Sequence, residues 1–231
     1  MYAFAQRADT HVLDEPLYAY YLQRTGAPHP GRETVIAHND TWADRVIANQ
    51  YLGDYGTPLL FIKSMAHHLV GVDLYFLQDL TNILLIRNPQ EMLSSLVQHL
   101  PQPGLLDTAY QMQYELFQYL QARGRRPLVI DAQSLCAAPE QTLRQICEHA
   151  RITFDPNMLH WEPGAIRQEG IWGQHWYDRL HHSTGFLPYR HSDQPIPDHL
   201  QPLLDTCSEY YLSLLEHAWL PSTSHSSLAV A

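Results

Sequence analysis

The sequence predicts an α/β fold in which helices flank a central parallel β-sheet. Short apolar runs recur along the chain, and amphipathic stretches of helical length separate them. The run at Ile83–Ile86 is continuous rather than alternating, which is typical of a parallel strand covered by helices on both faces. This alternation of strands and helices indicates one open sheet.

Polar residues follow two of the predicted strands in the first half of the chain. The predicted elements are, in order, a helix-like start at residues 1–8, a strand at 11–13, a helix ending at Gly26, a helix at about 40–52, a strand at Leu59–Lys63 and a helix at about 72–80. Asp14 and Glu15 follow the first strand, and His67 and His68 come soon after the second. These side chains therefore stand at the sheet edge where ligands bind in open α/β folds.

The third strand runs directly into a helix. Asn88 is a good N-cap, Pro89 fits the first helical position, and Glu91 stands where a capping-box carboxylate belongs. Arg87 therefore lies at the carboxyl end of a buried strand. Ser95 follows about two helical turns into the helix, so the two side chains could bracket one small anion. The alternative is an arginine paired with a surface carboxylate and a serine packed on the helix.

The second half of the chain continues the alternation of helices and strands up to about residue 150, and an irregular segment then interrupts it. The predicted elements are a helix at residues 108–123, a strand at 127–131, a helix at 139–150, an irregular segment at about 154–188 rich in Trp, His, Gly and Pro, and a helix at 197–219. We expect residues 1–220 to form a single domain and residues 221–231 to be a disordered tail.

Composition excludes several classes of function. A formal net charge of −10 with only 14 Lys and Arg residues argues against a general nucleic-acid or membrane-surface binder. No apolar run reaches the length of a membrane span, and the first residues do not resemble a signal peptide. Three cysteines without paired spacing indicate reduced thiols. These features predict a cytoplasmic protein.

Three kinds of side chain at the strand ends are candidates for catalysis. Glu15 is the first choice for a general base, and His67 and His68 are the alternative because a neutral imidazole is available near pH 7. Lys63 could stabilise developing negative charge, or simply pair with a carboxylate. The 15 histidines also suggest a metal site, but adjacent histidines on a helix point apart, so we expect no metal.

With these landmarks in place, the order of elements resembles that of sulfotransferases that use 3′-phosphoadenosine 5′-phosphosulfate (PAPS), a bacterial group in particular. Arg87 and Ser95 match that family's pair for the 3′-phosphate of the cofactor. The segments at 14–22, 61–69 and 129–161 are similar to its acidic strand end, its Lys- and His-bearing strand, and its strand, acidic turn and helix. Residues 170–186 resemble its Gly- and Trp-containing loop, which implies that Trp172 and Gly173 contact the cofactor.

The resemblance implies a three-layer P-loop-type sulfotransferase fold and one departure from it. The family holds the 5′-phosphosulfate in a Gly-, Ser- and Thr-rich loop after its first strand. Residue 1 would align after that loop, so we expect the chain to be N-terminally truncated, without the first strand and the phosphate loop. The implied function is sulfuryl transfer from PAPS to a hydroxyl or amine of a small acceptor. The alternative is a non-catalytic relic of the nucleotide site that acts as a binding or scaffold protein.

Overall fold

A computed structural model describes residues 1–189, 191 and 195–221 and confirms the α/β fold with parallel strands flanked by helices. Within these residues the strands are β1 (Thr10–Asp14), β2 (Leu59–Lys63), β3 (Ile83–Ile86), β4 (Leu128–Asp131) and β5 (Ala218–Trp219). The tail predicted to be disordered lies outside the described residues from position 222 onward.

The strands form two parallel sheets rather than the single sheet predicted. β1 pairs with β2, and β4 lies between β3 and β5 in a second sheet. The two sheets are joined through side chains, because Val12 of β1 and Ile130 of β4 belong to one apolar cluster that also receives Phe61 and Ile83. Apolar runs therefore predicted β1 to β4 correctly, whereas the hydrogen-bonded neighbours depend on packing.

Helices fill the intervals between the strands. They are α1 (Tyr2–Ala5), α2 (Tyr18–Thr25), α3 (Arg32–His38), α4 (Ala43–Val46), α5 (Pro89–Leu96), α6 (Leu105–Thr108), α7 (Tyr110–Ala122), α8 (Ala132–Ala137), α9 (Pro139–His149), α10 (Gly173–Trp176), α11 (Asp178–His181) and α12 (Gln201–Leu215). A π-helical turn at Ile47–Tyr51 continues α4, and 3₁₀ turns lie at Ala66–Leu69, Leu74–Asp79, Pro156–Leu159 and Asp198–Leu200. None of the described helices is long and apolar enough to cross a bilayer.

Several boundaries differ from the sequence prediction for identifiable reasons. The predicted helix at 108–123 is divided because Ala109 adopts a left-handed conformation with φ of 65°, so α6 ends there and α7 begins. The predicted helix at 197–219 ends at Leu215, and the chain then adds the two-residue strand β5 beside β4. A strand of two residues is too short to show a periodic pattern in the sequence.

Two predicted local signals are confirmed. Gly26 ends α2 in the left-handed conformation, with φ of 73°, and donates its N–H to the carbonyl of Leu22. At the start of α5, the side chain of Asn88 accepts a hydrogen bond from the Gln90 N–H. All three cysteines are free thiols, and Cys147 and Cys207 are buried in the core.

Candidate functional site

The carboxyl ends of β1 and β2 bring acidic and basic side chains together. The parallel register places Asp14 opposite Lys63. Glu15 follows at once, donates its N–H to the Lys63 carbonyl at 2.7 Å and turns sharply with a φ of 45°. A left-handed conformation is unusual for a glutamate and carries strain. The turn ends β1 while keeping both carboxylates beside Lys63.

Four side chains form a connected network, called here the strand-end cluster: Asp14, Glu15, Lys63 and Tyr177. The Lys63 ammonium contacts the Glu15 carboxylate, lies 3.7 Å from Asp14 Oδ1 and donates to the Tyr177 hydroxyl at 2.8 Å. The Tyr177 hydroxyl donates to Asp14 Oδ1 at 2.8 Å and lies 3.4 Å from Glu15 Oε1. One hydroxyl group is therefore held among two carboxylates and an ammonium.

The strand-end cluster is largely shielded from water. The side chain of Asp14 is 1% exposed, that of Glu15 8% and that of Lys63 27%. Burial lowers the pKa of Lys63 to about 8, although the charge of Asp14 opposes the shift. Burial also raises the pKa of Tyr177, and the charge of Asp14 adds to the effect, so this phenol stays protonated. Lys63 is the most exposed charged residue of the cluster. Its lowered pKa means that it releases its proton more readily than an ordinary lysine does.

His67 and His68 lie in the 3₁₀ turn after β2, packed among aromatic rings rather than hydrogen-bonded. The His68 ring stacks on Tyr18 with 4.9 Å between ring centroids, and His67 meets Tyr21 edge-on at 4.8 Å. His68 Nδ1 lies 4.0 Å from Glu15 Oε2. Neither Nδ1 atom has a hydrogen-bond partner among the described residues. The structure thus places His68 beside the strand-end cluster, and the His67 ring lies edge-on to that of His68 with 4.6 Å between centroids.

Both imidazoles are neutral at physiological pH. Burial lowers the pKa of His67 to about 3, and the charges of His29 and Lys63 add to the effect. Burial, with the neighbouring His67, lowers the pKa of His68 well below its ordinary value. Such imidazoles bind protons weakly, which makes them poor general bases. A carboxylate is the better candidate for that role.

Acid should destabilise the fold through these two histidines. Their pKa values are lower in the folded chain, so the unfolded chain binds more protons below about pH 6.5 and the free energy of unfolding falls as pH decreases. Each histidine contributes a slope of up to about 1.4 kcal/mol per pH unit. In urea unfolding between about pH 4 and pH 6, His67→Gln should show a shallower slope than the wild type. The control His182→Gln, at a side chain 78% exposed, should keep the wild-type slope. An unchanged slope in His67→Gln would contradict this account.

Arg87 and Ser95 lie on the predicted strand-to-helix unit at the end of β3. The Arg87 side chain is 40% exposed, and its Nε lies 3.8 Å from Glu91 Oε2, beyond hydrogen-bond distance. Ser95 is exposed on α5. Glu91 is buried and has other donors, because the Tyr189 hydroxyl contacts Oε2 and His191 Nδ1 lies 3.1 Å from Oε1. The arginine is therefore not the main partner of this carboxylate, and its N–H groups suit an additional anion.

A surface cavity lies close to Arg87. It has a volume of about 400 Å³ and includes Tyr189 and His191, the two residues that hold Glu91. A second and larger cavity, of about 790 Å³, lies along α9 and residues 184–187. Neither cavity includes a member of the strand-end cluster. The smaller cavity is thus found near the predicted anion site, and the strand-end cluster lies outside both cavities.

Trp172 and Gly173 lie near the strand-end cluster, on the side where Tyr18 and His68 pack. The buried Trp172 ring meets Tyr18 edge-on at 5.1 Å, and Tyr18 in turn stacks on His68. A Cβ added at Gly173 would come within 2.5 Å of Glu169 Oε2, so a larger residue there would displace the Glu169 carboxylate. Trp172 Nε1 is buried without a hydrogen-bond partner among the described residues. The contact of these two residues with a cofactor remains a prediction.

Sequence reasoning did not identify Tyr177 as a site residue and assigned no catalytic role to Asp14. Tyr177 lies in the irregular aromatic segment, where no periodicity marks one residue above its neighbours. The same segment supplies the Gly170 N–H, which donates to Asp14 Oδ2 at 3.1 Å. Asp14 could have been recognised as a site residue from the sequence by its position next to Glu15 at a strand end. No three His, Cys, Asp or Glu side chains of the described residues converge as a metal site requires.

Comparison with known proteins identifies the family. Residues 1–217 match the sulfotransferase domain family. The chain belongs to this family. Two Arabidopsis thaliana proteins, branched-chain-amino-acid aminotransferase-like proteins 1 and 2, are each 33% identical to this sulfotransferase domain over 218 residues. The alignments cover 94% of this chain and 39% of each relative, so the chain spans about two fifths of the length of these relatives.

A solved structure shares the fold. The sulfotransferase domain from the Synechococcus PCC 7002 olefin synthase superimposes with a TM-score of 0.50 at 15% sequence identity. The superposition covers 88% of this sulfotransferase domain and 94% of the other. At this identity the likeness supports the fold assignment alone.

Proposed function

We propose that this domain transfers a sulfuryl group from PAPS to a hydroxyl or amine of a small acceptor in the cytoplasm. The observation that carries the proposal is the strand-end cluster, in which carboxylates and an ammonium meet at the carboxyl edge of β1 and β2. Transfer of a sulfuryl group requires a base for the acceptor's proton and positive charge for the group that moves. Glu15 and Lys63 supply these two functions.

The choice of base follows from burial and contacts. Glu15, with Asp14 beside it, takes the acceptor's proton in this proposal. The two imidazoles support a different role, since a group with a pKa of about 3, as at His67, has little affinity for a proton. Lys63 stabilises the charge on the transferring group, and its contacts with Glu15 and Tyr177 orient the ammonium toward the cluster.

Arg87 and Ser95 would hold the 3′-phosphate of PAPS. The exposed guanidinium lies beyond hydrogen-bond distance of Glu91, and the two residues that hold Glu91, Tyr189 and His191, line a cavity of about 400 Å³. Trp172 and Gly173 would contact the cofactor from the aromatic segment. When bound, PAPS supplies the activated sulfuryl group, and the residues of this chain orient the acceptor and receive its proton.

Titration calorimetry with 3′-phosphoadenosine 5′-phosphate tests the cofactor assignment. Arg87→Ala should weaken binding by about 10- to 100-fold, because a hydrogen bond to a charged group contributes about 1.5–3 kcal/mol. Arg144→Ala is a control, since Arg144 is also a partly exposed arginine near a glutamate one helical turn away, Glu140, but does not line the cavity near Arg87. Equal affinity of Arg87→Ala and the wild type would refute the assignment of Arg87. Nucleotide binding without any sulfuryl transfer would favour the alternative of a non-catalytic binding protein.

A further inference from the structure

The Tyr177 hydroxyl occupies the position in the strand-end cluster where an acceptor group would have to sit. It lies 2.8 Å from Lys63 Nζ, 2.8 Å from Asp14 Oδ1 and 3.4 Å from Glu15 Oε1. These are the proposed sulfuryl-stabilising ammonium and the proposed proton-accepting carboxylates. A side chain of this protein therefore makes the contacts that a reacting acceptor would make.

We propose that Tyr177 is an internal stand-in for the acceptor, and that the true acceptor is a hydroxyl compound that displaces it. This inference rests on the proposed function and narrows its substrate class. The Tyr177 oxygen accepts a hydrogen bond from Lys63 while its proton is donated to Asp14, so the position selects a group that donates and accepts at once.

Amines fit this position poorly. An alkylamine beside two carboxylates binds a proton, and an ammonium has no lone pair to accept the hydrogen bond from Lys63. Its positive charge would also lie next to the Lys63 ammonium, which is unfavourable in a site shielded from water. In an aromatic amine the lone pair is delocalised into the ring. An alcohol or a phenol satisfies all the partners.

Displacement of Tyr177 must involve the segment that carries it. The Gly170 N–H is bound to Asp14 Oδ2 at 3.1 Å, and the Tyr177 N–H is bound to the Gly173 carbonyl at 2.8 Å. Residues 170–177 are thus attached to the cluster at both ends, at Gly170 and at the Tyr177 side chain. Release of the Gly170–Asp14 hydrogen bond and of the Tyr177 hydroxyl from the cluster would expose the cluster to solvent from the side of Lys63, its most exposed member.

The chemical step then balances without a further reactant. The acceptor oxygen forms a bond to the sulfur of the PAPS sulfuryl group, and the bond from that sulfur to the 5′-phosphate oxygen breaks. The proton of the acceptor hydroxyl passes to the carboxylate pair of Asp14 and Glu15. The nucleotide leaves as 3′-phosphoadenosine 5′-phosphate.

Tyr177→Ala provides the main test, because it removes a phenol and leaves a space of that shape beside Lys63. In calorimetry without any nucleotide, phenol should bind this variant at least about tenfold more tightly than benzene or aniline do, since the hydroxyl adds hydrogen bonds to charged groups. Phenol should not bind detectably in the wild type, where Tyr177 fills the position. Equal affinities for phenol and benzene would overturn the inference.

Two further measurements separate this inference from the proposed function. With PAPS present, Tyr177→Ala should convert phenol to phenyl sulfate. Absence of that product in a variant that binds both phenol and nucleotide would overturn the inference if the wild type sulfates other hydroxyl compounds. Nucleotide binding without sulfuryl transfer in either protein would overturn the proposed function instead. Should the alanine variant not fold, Tyr177→Phe serves instead. It lacks the polar contacts that hold the ring, so it should bind 4-nitrophenol at least about tenfold more tightly than the wild type, and equal binding would overturn the inference.

Discussion

Replacement of Glu15 with glutamine should lower kcat for sulfuryl transfer by about 10²- to 10⁴-fold, the usual contribution of a positioned general base. Glutamine has nearly the same shape but binds no proton, so the acceptor hydroxyl would keep its hydrogen. The side chain is 8% exposed, and solvent can replace it only poorly. The rate is measured with radiolabelled PAPS at saturating acceptor, alongside circular dichroism to verify folding.

Two variants control this experiment. Glu33→Gln changes a glutamate on α3 that is 87% exposed and should leave kcat unchanged. His68→Gln tests the alternative base and should reduce kcat less than Glu15→Gln does, because the His68 imidazole has a lowered pKa. A wild-type rate in Glu15→Gln together with a loss of activity in His68→Gln would assign the base to the histidine.

Replacement of Lys63 with methionine should lower the free energy of unfolding by about 3 kcal/mol, the lower end of the range for breaking a buried ion pair. The ammonium is the partner of the Glu15 carboxylate and lies 3.7 Å from Asp14 Oδ1. Without it, two nearly buried negative charges face each other. The lower end of the range applies because the Lys63 side chain is 27% exposed. Urea unfolding at pH 7 measures the change.

The double variant Lys63→Met with Glu15→Gln distinguishes lost charge compensation from lost packing. Removal of one uncompensated carboxylate should recover about 1 kcal/mol or more of the loss, as expected for residues in direct contact. If the effects of the two substitutions simply add, the ion pair is not what stabilises the strand end.

Much of the candidate site was predictable because its residues stand next to strong local signals. Glu15 and Lys63 directly follow or end apolar runs that form β1 and β2, and residues at the carboxyl ends of adjacent parallel strands meet. Arg87 was found in the same way, at the end of β3. His67 and His68 were placed correctly after β2, but their burial among aromatic rings, which makes them neutral, has no signature in the local sequence.

The helix α3 and the pairing of the strands were not predictable from local patterns. No element is predicted between the helix ending at Gly26 and the helix at about 40–52, yet Arg32 begins a helix whose only buried residue is Val35. Two separate sheets replace the single predicted sheet, because the pairing of strands is decided by tertiary packing and is not encoded in the local pattern of any one strand.

The sequence by itself determined the α/β class, the strands β1 to β4 and the polar residues at their ends, because apolar runs and helix signals act within short windows of the chain. Only the tertiary structure decided that Tyr177 lies between Asp14 and Lys63, which are 163 and 114 residues away in the chain. A contact over that separation depends on where the irregular segment docks, and no local propensity encodes it. The hydroxyl that points to the acceptor class is therefore a property of the folded chain.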